Sequence, residues 1–155
     1  MKFLMNGKKL AIIGIFLVLL LGGAAFGLYV MKMNAASFMG MGVDVSEQPE
    51  EVRLAWEDRF QKAVVREDVL NWTIKQSDYA ARMDVPQEAA FEDLKSRVKV
   101  EYKKHKSMIE VGLTGKRKQN DQMAEVARFL NQAATSIVAQ EEPAFEAALR
   151  SKAGQ

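Results

Sequence analysis

From Leu10 to Met31 the chain runs twenty-two residues without a charge, with Lys2, Lys8 and Lys9 before the run and Lys32 after it. A helix of that length covers roughly 30 Å, the thickness of a bilayer's hydrocarbon core. The pattern predicts a transmembrane helix over residues 10–31. Cations flanking a span are retained on the cytoplasmic side, so residues 1–9 are expected in the cytoplasm and everything after the span in the periplasm or extracytoplasmic space of a bacterial inner membrane. A cleaved signal peptide competes with this reading, because Leu10 to Leu21 is a compact apolar core and Ala25-Phe26-Gly27 is a small-x-small pattern. The apolar residues that resume at Leu28 favour retention. Gly23 and Gly27 have the small-xxx-small spacing that lets two membrane helices approach closely; plain apolar filler is the alternative.

Beyond the anchor the period of the pattern changes several times. Residues 32–45 are small, Met-rich and Gly-containing, and read as a tether with a short strand around Phe38, Met41, Val43 and Val45. Val52, Trp56, Phe60, Ala63 and Val64 recur at helical spacing after Ser46 and Pro49. A second helical stretch begins near Arg66, with Val65, Val69, Trp72 and Ile74 as its apolar side. Trp56 and Trp72 are expected in the core. Asp84, with Gln87 at capping-box spacing, opens a helix faced by Ala90, Phe91, Leu94 and Val98.

At Val98 the pattern turns to strict alternation: Val98, Val100 and Tyr102, then Ile109, Val111 and Leu113, each separated by polar residues or glycine and parted by Lys104-His105-Lys106-Ser107. This predicts a β-hairpin. Asn120 or Asp121 is expected to cap a long last helix with Met123, Val126, Ala127, Leu130, Ala134, Ile137 and Val138 inside, and Pro143 to interrupt it or start an extension containing Phe145, Ala148 and Leu149. The fold class is α+β: an N-terminal transmembrane helix, then a small exported domain, residues 46–155, of helices packed on one face of a hairpin-containing sheet.

Charge narrows the partners. After Lys32 there are 18 Lys and Arg against 20 Asp and Glu, so the exported part is slightly acidic although the whole chain carries +2, and no nucleic-acid partner is expected. The cations are unevenly placed. Nine lie between Lys95 and Lys118, against Glu101 and Glu110 only. Within that stretch Lys99, Lys103, Lys104, Lys106, Lys116, Arg117 and Lys118 form a basic patch that could meet lipid headgroups, an anionic glycan or an acidic subunit; the solvated side of a two-stranded ribbon is the plainer reading.

No catalytic constellation is legible, and neither an enzyme nor a cofactor is expected. The sequence has no cysteine, so disulfides and thiolate metal sites are excluded, and its one histidine, His105, sits between lysines. The doublets Glu57-Asp58, Glu67-Asp68, Glu92-Asp93 and Glu141-Glu142 point about 100° apart on a helix and read as surface charge. Asn71-Trp72-Thr73 matches a glycosylation acceptor but reads as chance, with Trp72 expected to be buried. No phosphate-binding or nucleophile-elbow motif is present.

The order helix, hairpin, long helix resembles the exported domain of bacterial polysaccharide chain-length determinants, the polysaccharide co-polymerases. The similar pieces are Ala63-Val64-Val65-Arg66-Glu67-Asp68-Val69-Leu70, the helix-to-strand passage Leu94 to Tyr102, Ser107-Met108-Ile109-Glu110-Val111, and the Ala-rich helix Ala124 to Asn131. The resemblance spans about residues 39–139 and implies a short version without the family's second membrane helix. It also implies a homo-oligomer that sets glycan length beside a polymerase without catalysing bond formation. A small accessory subunit of an unrelated membrane complex is the alternative expectation.

Overall fold

The computed structural model describes residues 23–147. The expected cytoplasmic segment 1–9, residues 10–22 of the expected span, and Ala148 and Leu149 lie outside them. Residues 23–34 are helical and largely exposed, and among the described residues no helix is long and apolar enough to cross a membrane. Gly23 and Gly27 fall in this helical segment, with nothing within 4 Å of a Cβ added at either. The chain divides into two compact units at Ala35/Ala36.

The second unit holds the sheet. Strand β1, Ala36–Asp44, pairs antiparallel with β3, Met108–Lys116, which pairs antiparallel with β2, Val98–Lys103, giving the order β1-β3-β2. Register puts Val43, Met41 and Met39 opposite Ile109, Val111 and Leu113, which face Tyr102, Val100 and Val98 on the other side. Because side chains alternate across a strand, these residues share one face, and Ile109, Val111 and Leu113 are fully buried there. The hairpin forms as its alternation requires. Its turn is a 3-10 segment, Lys104–Lys106, closed by Ser107 at φ 50°.

Helices α1 (Glu50–Val64), α2 (Glu67–Ser77), α3 (Tyr79–Met83), α4 (Ala90–Arg97) and α5 (Asn120–Glu141) complete the unit. Helix α5 presents Met123, Val126, Ala127, Leu130, Ala134 and Val138 as one buried stripe, the side read from its spacing. Helix α1 buries Trp56, Phe60, Ala63 and Val64. Phe145, beyond Pro143, closes the core edge-on against Trp56 and Phe60, with ring centroids 4.8 and 5.5 Å away. Burying a side chain of this size stabilises the fold by about 1.5–3 kcal/mol. The domain is therefore α+β, with the helices covering one face of a three-stranded sheet.

Several sequence expectations need correction. Residues 36–44 are a nine-residue strand of the sheet rather than part of a tether, so the folded unit starts at Ala36 and not at residue 46. The short strand expected around Phe38, Met41, Val43 and Val45 is present and runs longer, although Gly40, Gly42 and the methionines leave little contrast between its faces. On its outward side the Phe38 ring folds over Gly40, while the Met108 side chain lies over Gly42. Trp72 is not buried: it is 37% exposed, and α2 turns Val69, Leu70, Thr73 and Ser77 inward instead. Val65 stands exposed at the break between α1 and α2.

Asp84 does not cap the helix after it. At φ 55° it closes α3, just as Asp78 at φ 50° closes α2; aspartate tolerates this left-handed conformation better than most residues. The turn after it is led by Pro86. Neither Asn120 nor Asp121 caps α5, which continues from a 3-10 turn, Arg117–Gln119, where Gln119 Oε1 accepts the Lys116 N–H at 3.3 Å.

Candidate interaction surface

Antiparallel register sends the two ends of the basic stretch to opposite ends of the sheet. Lys103 pairs with Met108, which pairs with Asp44; Lys116 pairs with Ala36. Eight residue steps along β3 separate Met108 from Lys116, about 27 Å of strand. The seven residues of the expected patch therefore do not form one surface.

The turn end is largely neutralised. Glu101 takes Lys99 and Lys103, Lys104 Nζ lies 2.8 Å from Glu50, and Lys106 Nζ lies 3.5 Å from Glu110. Lys103 first and Lys99 second hold the Glu101 carboxyl below the usual carboxylate range, and Lys104 does the same to Glu50. The like-charged pair Glu101 and Glu110, opposite one another in the hairpin, is tolerated because these lysines surround it. Lys103 Nζ also lies 5.7 Å from the Phe38 ring centroid. His105 is exposed within the same turn.

Arg53 ties this end down. Its guanidinium donates to Gln48 O, to Ser46 O at 2.7 Å, to the Tyr102 hydroxyl at 3.1 Å and to Ser107 Oγ at 3.0 Å, joining the start of α1 to the hairpin turn. Glu57 Oε1 accepts the Tyr102 N–H at 3.1 Å and so covers one backbone donor on the free edge of β2. Nothing in the amino-acid pattern marked Arg53, and Glu57 is more than the surface charge expected of the Glu57-Asp58 doublet.

The other end differs. Lys116, Arg117 and Lys118 are all exposed, and among the described residues none of the three has an ion-pair partner within 4 Å. The nearby Arg97 is already committed. Its Nε and Nη2 donate to Asp93 at 2.8 and 3.1 Å, and the Tyr79 hydroxyl donates to the same carboxylate at 2.6 Å. Asp93 is thus more than the surface charge expected of a helical doublet. Burial, then the Asp93 hydrogen bond, pushes the Tyr79 phenol far above its ordinary pKa. The remaining doublets hold surface pairs: Asp58 with Lys62, Asp68 with Arg66, Glu141 with Arg66 and Glu142 with Arg59.

A second surface lies between α2 and α5. Asp68, Val69, Trp72, Gln132, Ala133, Ser136 and Ile137 line an open groove of about 360 Å³. The Trp72 ring forms one wall and stands edge-on to Phe129 with centroids 6.0 Å apart. Its lining is mainly apolar, which suits a side chain of a partner better than a charged ligand. No cluster of His, Cys, Asp or Glu among the described residues could hold a metal ion. No protein-family model, curated protein or solved structure matches this chain.

Proposed function

We propose that this is a single-pass membrane protein held by residues 10–31, whose α+β domain works without catalysis by docking on copies of itself or on a membrane complex. The observation carrying this reading is the apolar groove with Trp72 as its wall, on a domain whose first strand begins four residues after Lys32. A half-exposed tryptophan beside an apolar concavity is the kind of anchor that protein interfaces use. The order α2, hairpin, α5 and the pieces quoted above support the narrower reading, a role in polysaccharide chain-length control or export beside a glycan polymerase.

Native purification through the full chain tests the docking role. Wild type is expected to bring down further copies or the subunits of one membrane complex, and Trp72→Ala to lose them while remaining folded. A chain that purifies alone overturns the proposal. Deletion followed by gel analysis of surface glycans tests the narrower role: unchanged glycan length and amount removes it, and co-purification of an unrelated complex makes the chain an accessory subunit.

A further inference from the structure

Lys116, Arg117 and Lys118 sit where the chain leaves its N-terminal segment. Ala36, the first residue of β1, is the Cα partner of Lys116, and only Ala35 separates it from the helical residues 23–34. Four chain steps join Lys32 to Ala36, at most about 14 Å even if fully drawn out. The neighbouring strand is about 4.8 Å further. If residues 10–31 lie in hydrocarbon, chain length alone keeps Lys116 within about 19 Å of Lys32, so these three cations can reach the headgroup layer.

We propose that Lys116, Arg117 and Lys118 form a basic foot that rests on anionic phospholipid headgroups of the membrane holding the anchor. The inference rests on the anchored reading above and names the surface this end of the sheet meets. Three observations carry it. The side chains are exposed and lack ion-pair partners among the described residues, whereas the lysines at the turn end are met by Glu50, Glu101 and Glu110. Asp121 is the sole acidic residue between Gly115 and Ala124. Strand register also holds Lys116 beside Ala36, the residue at which the domain joins the N-terminal segment. Each basic residue at an anionic surface favours the contact by roughly five-fold, and the effect fades within a Debye length.

The sequence has no cysteine, so a nitroxide can be placed at one introduced site in the full chain. Asp121→Cys reports on the foot and His105→Cys on the turn end. Each labelled chain is reconstituted in vesicles of phosphatidylcholine alone or mixed with phosphatidylglycerol, with nickel-chelating lipid in both. Relaxation of the Asp121→Cys label by headgroup nickel is expected to rise several-fold with phosphatidylglycerol, to fall back at high salt, and to be lost with Lys116→Glu, Arg117→Glu and Lys118→Glu together. The milder Lys116→Gln, Arg117→Gln and Lys118→Gln set should lose it too, and the His105→Cys label should not respond.

Equal relaxation in both vesicles, or a response that survives neutralisation of the three cations, overturns the proposal. A label that ignores phosphatidylglycerol but is immobilised by a soluble acidic polysaccharide also overturns it and assigns the cluster to a glycan. Release of the chain from vesicles by alkaline carbonate overturns the anchored reading as well, whereas retention without lipid dependence overturns the foot alone.

Discussion

The Tyr79 hydroxyl donates to Asp93 Oδ2 at 2.6 Å, and Arg97 donates to both oxygens of the same carboxylate. Tyr79 is fully buried at the start of α3, and Asp93 lies in α4, so this one carboxylate ties two short helices together. Thr114 Oγ1 donates to Arg97 O at 3.2 Å and extends the link to β3. Tyr79→Phe should cost about 1–2 kcal/mol, because Arg97 still pairs with Asp93. Asp93→Ala should cost about 2–4 kcal/mol, because it strands a buried hydroxyl and a half-buried guanidinium. Urea unfolding of the full chain in detergent, followed by tryptophan fluorescence, measures both.

Alkaline pH should test the same link. The Tyr79 pKa is raised by folding, so its contribution is complete below the unfolded value of about 10 and declines as pH climbs toward the folded one. Wild type should lose stability over that alkaline range more steeply than Tyr79→Phe. Parallel slopes for the two proteins would remove Tyr79 as the cause.

In acid the sign reverses. Lys103 and Lys99 depress the Glu101 pKa, so the stability from this cluster is present above the unfolded value of about 4.3 and is lost as pH falls through the lower folded value. Glu101→Gln should be weaker than wild type by less than about 1 kcal/mol at neutral pH, since the pairs are partly exposed. The two proteins should converge in acid. Thermal unfolding across pH gives the comparison.

Gly112 faces Gly40 across the β1–β3 pair, and a Cβ there would run into the Met39 carbonyl oxygen and the Gly40 Cα. Backbone cannot swing aside as a flexible side chain can. Gly112→Ala should therefore loosen β1 from the sheet while the β2–β3 hairpin persists. Amide hydrogen exchange should speed up across Ala36–Asp44 and remain slow at Glu101 and Glu110, whose amides face one another within the hairpin.

Leu130 is fully buried in the α5 stripe, and Leu130→Ala should cost about 2–5 kcal/mol through lost burial and the cavity left behind. The Trp72→Ala change proposed for the groove should cost much less, because that ring is already partly in water. The same denaturant unfolding separates the two.

Local order in this domain is legible along the chain. Helical spacing marked the buried stripes of α1 and α5, and alternation marked the hairpin, because each element must turn a dry face to the core and the period of apolar residues records that face. The amino-acid sequence also set the charge balance and the absence of cysteine. Whatever depends on residues distant in the chain was settled by folding. Ala36–Asp44 became a strand because β3 supplied its hydrogen-bond partners, although its own Gly and Met pattern carries little contrast. Trp72 stayed partly in water because α2 turns Val69, Leu70, Thr73 and Ser77 inward instead. The basic run was split because antiparallel pairing sends the two ends of a strand apart, leaving Lys104 beside Glu50 and Lys116 beside Ala36. Periodicity reports which side of an element is dry, whereas the neighbours a charge or a strand edge will meet are fixed only when the chain closes on itself.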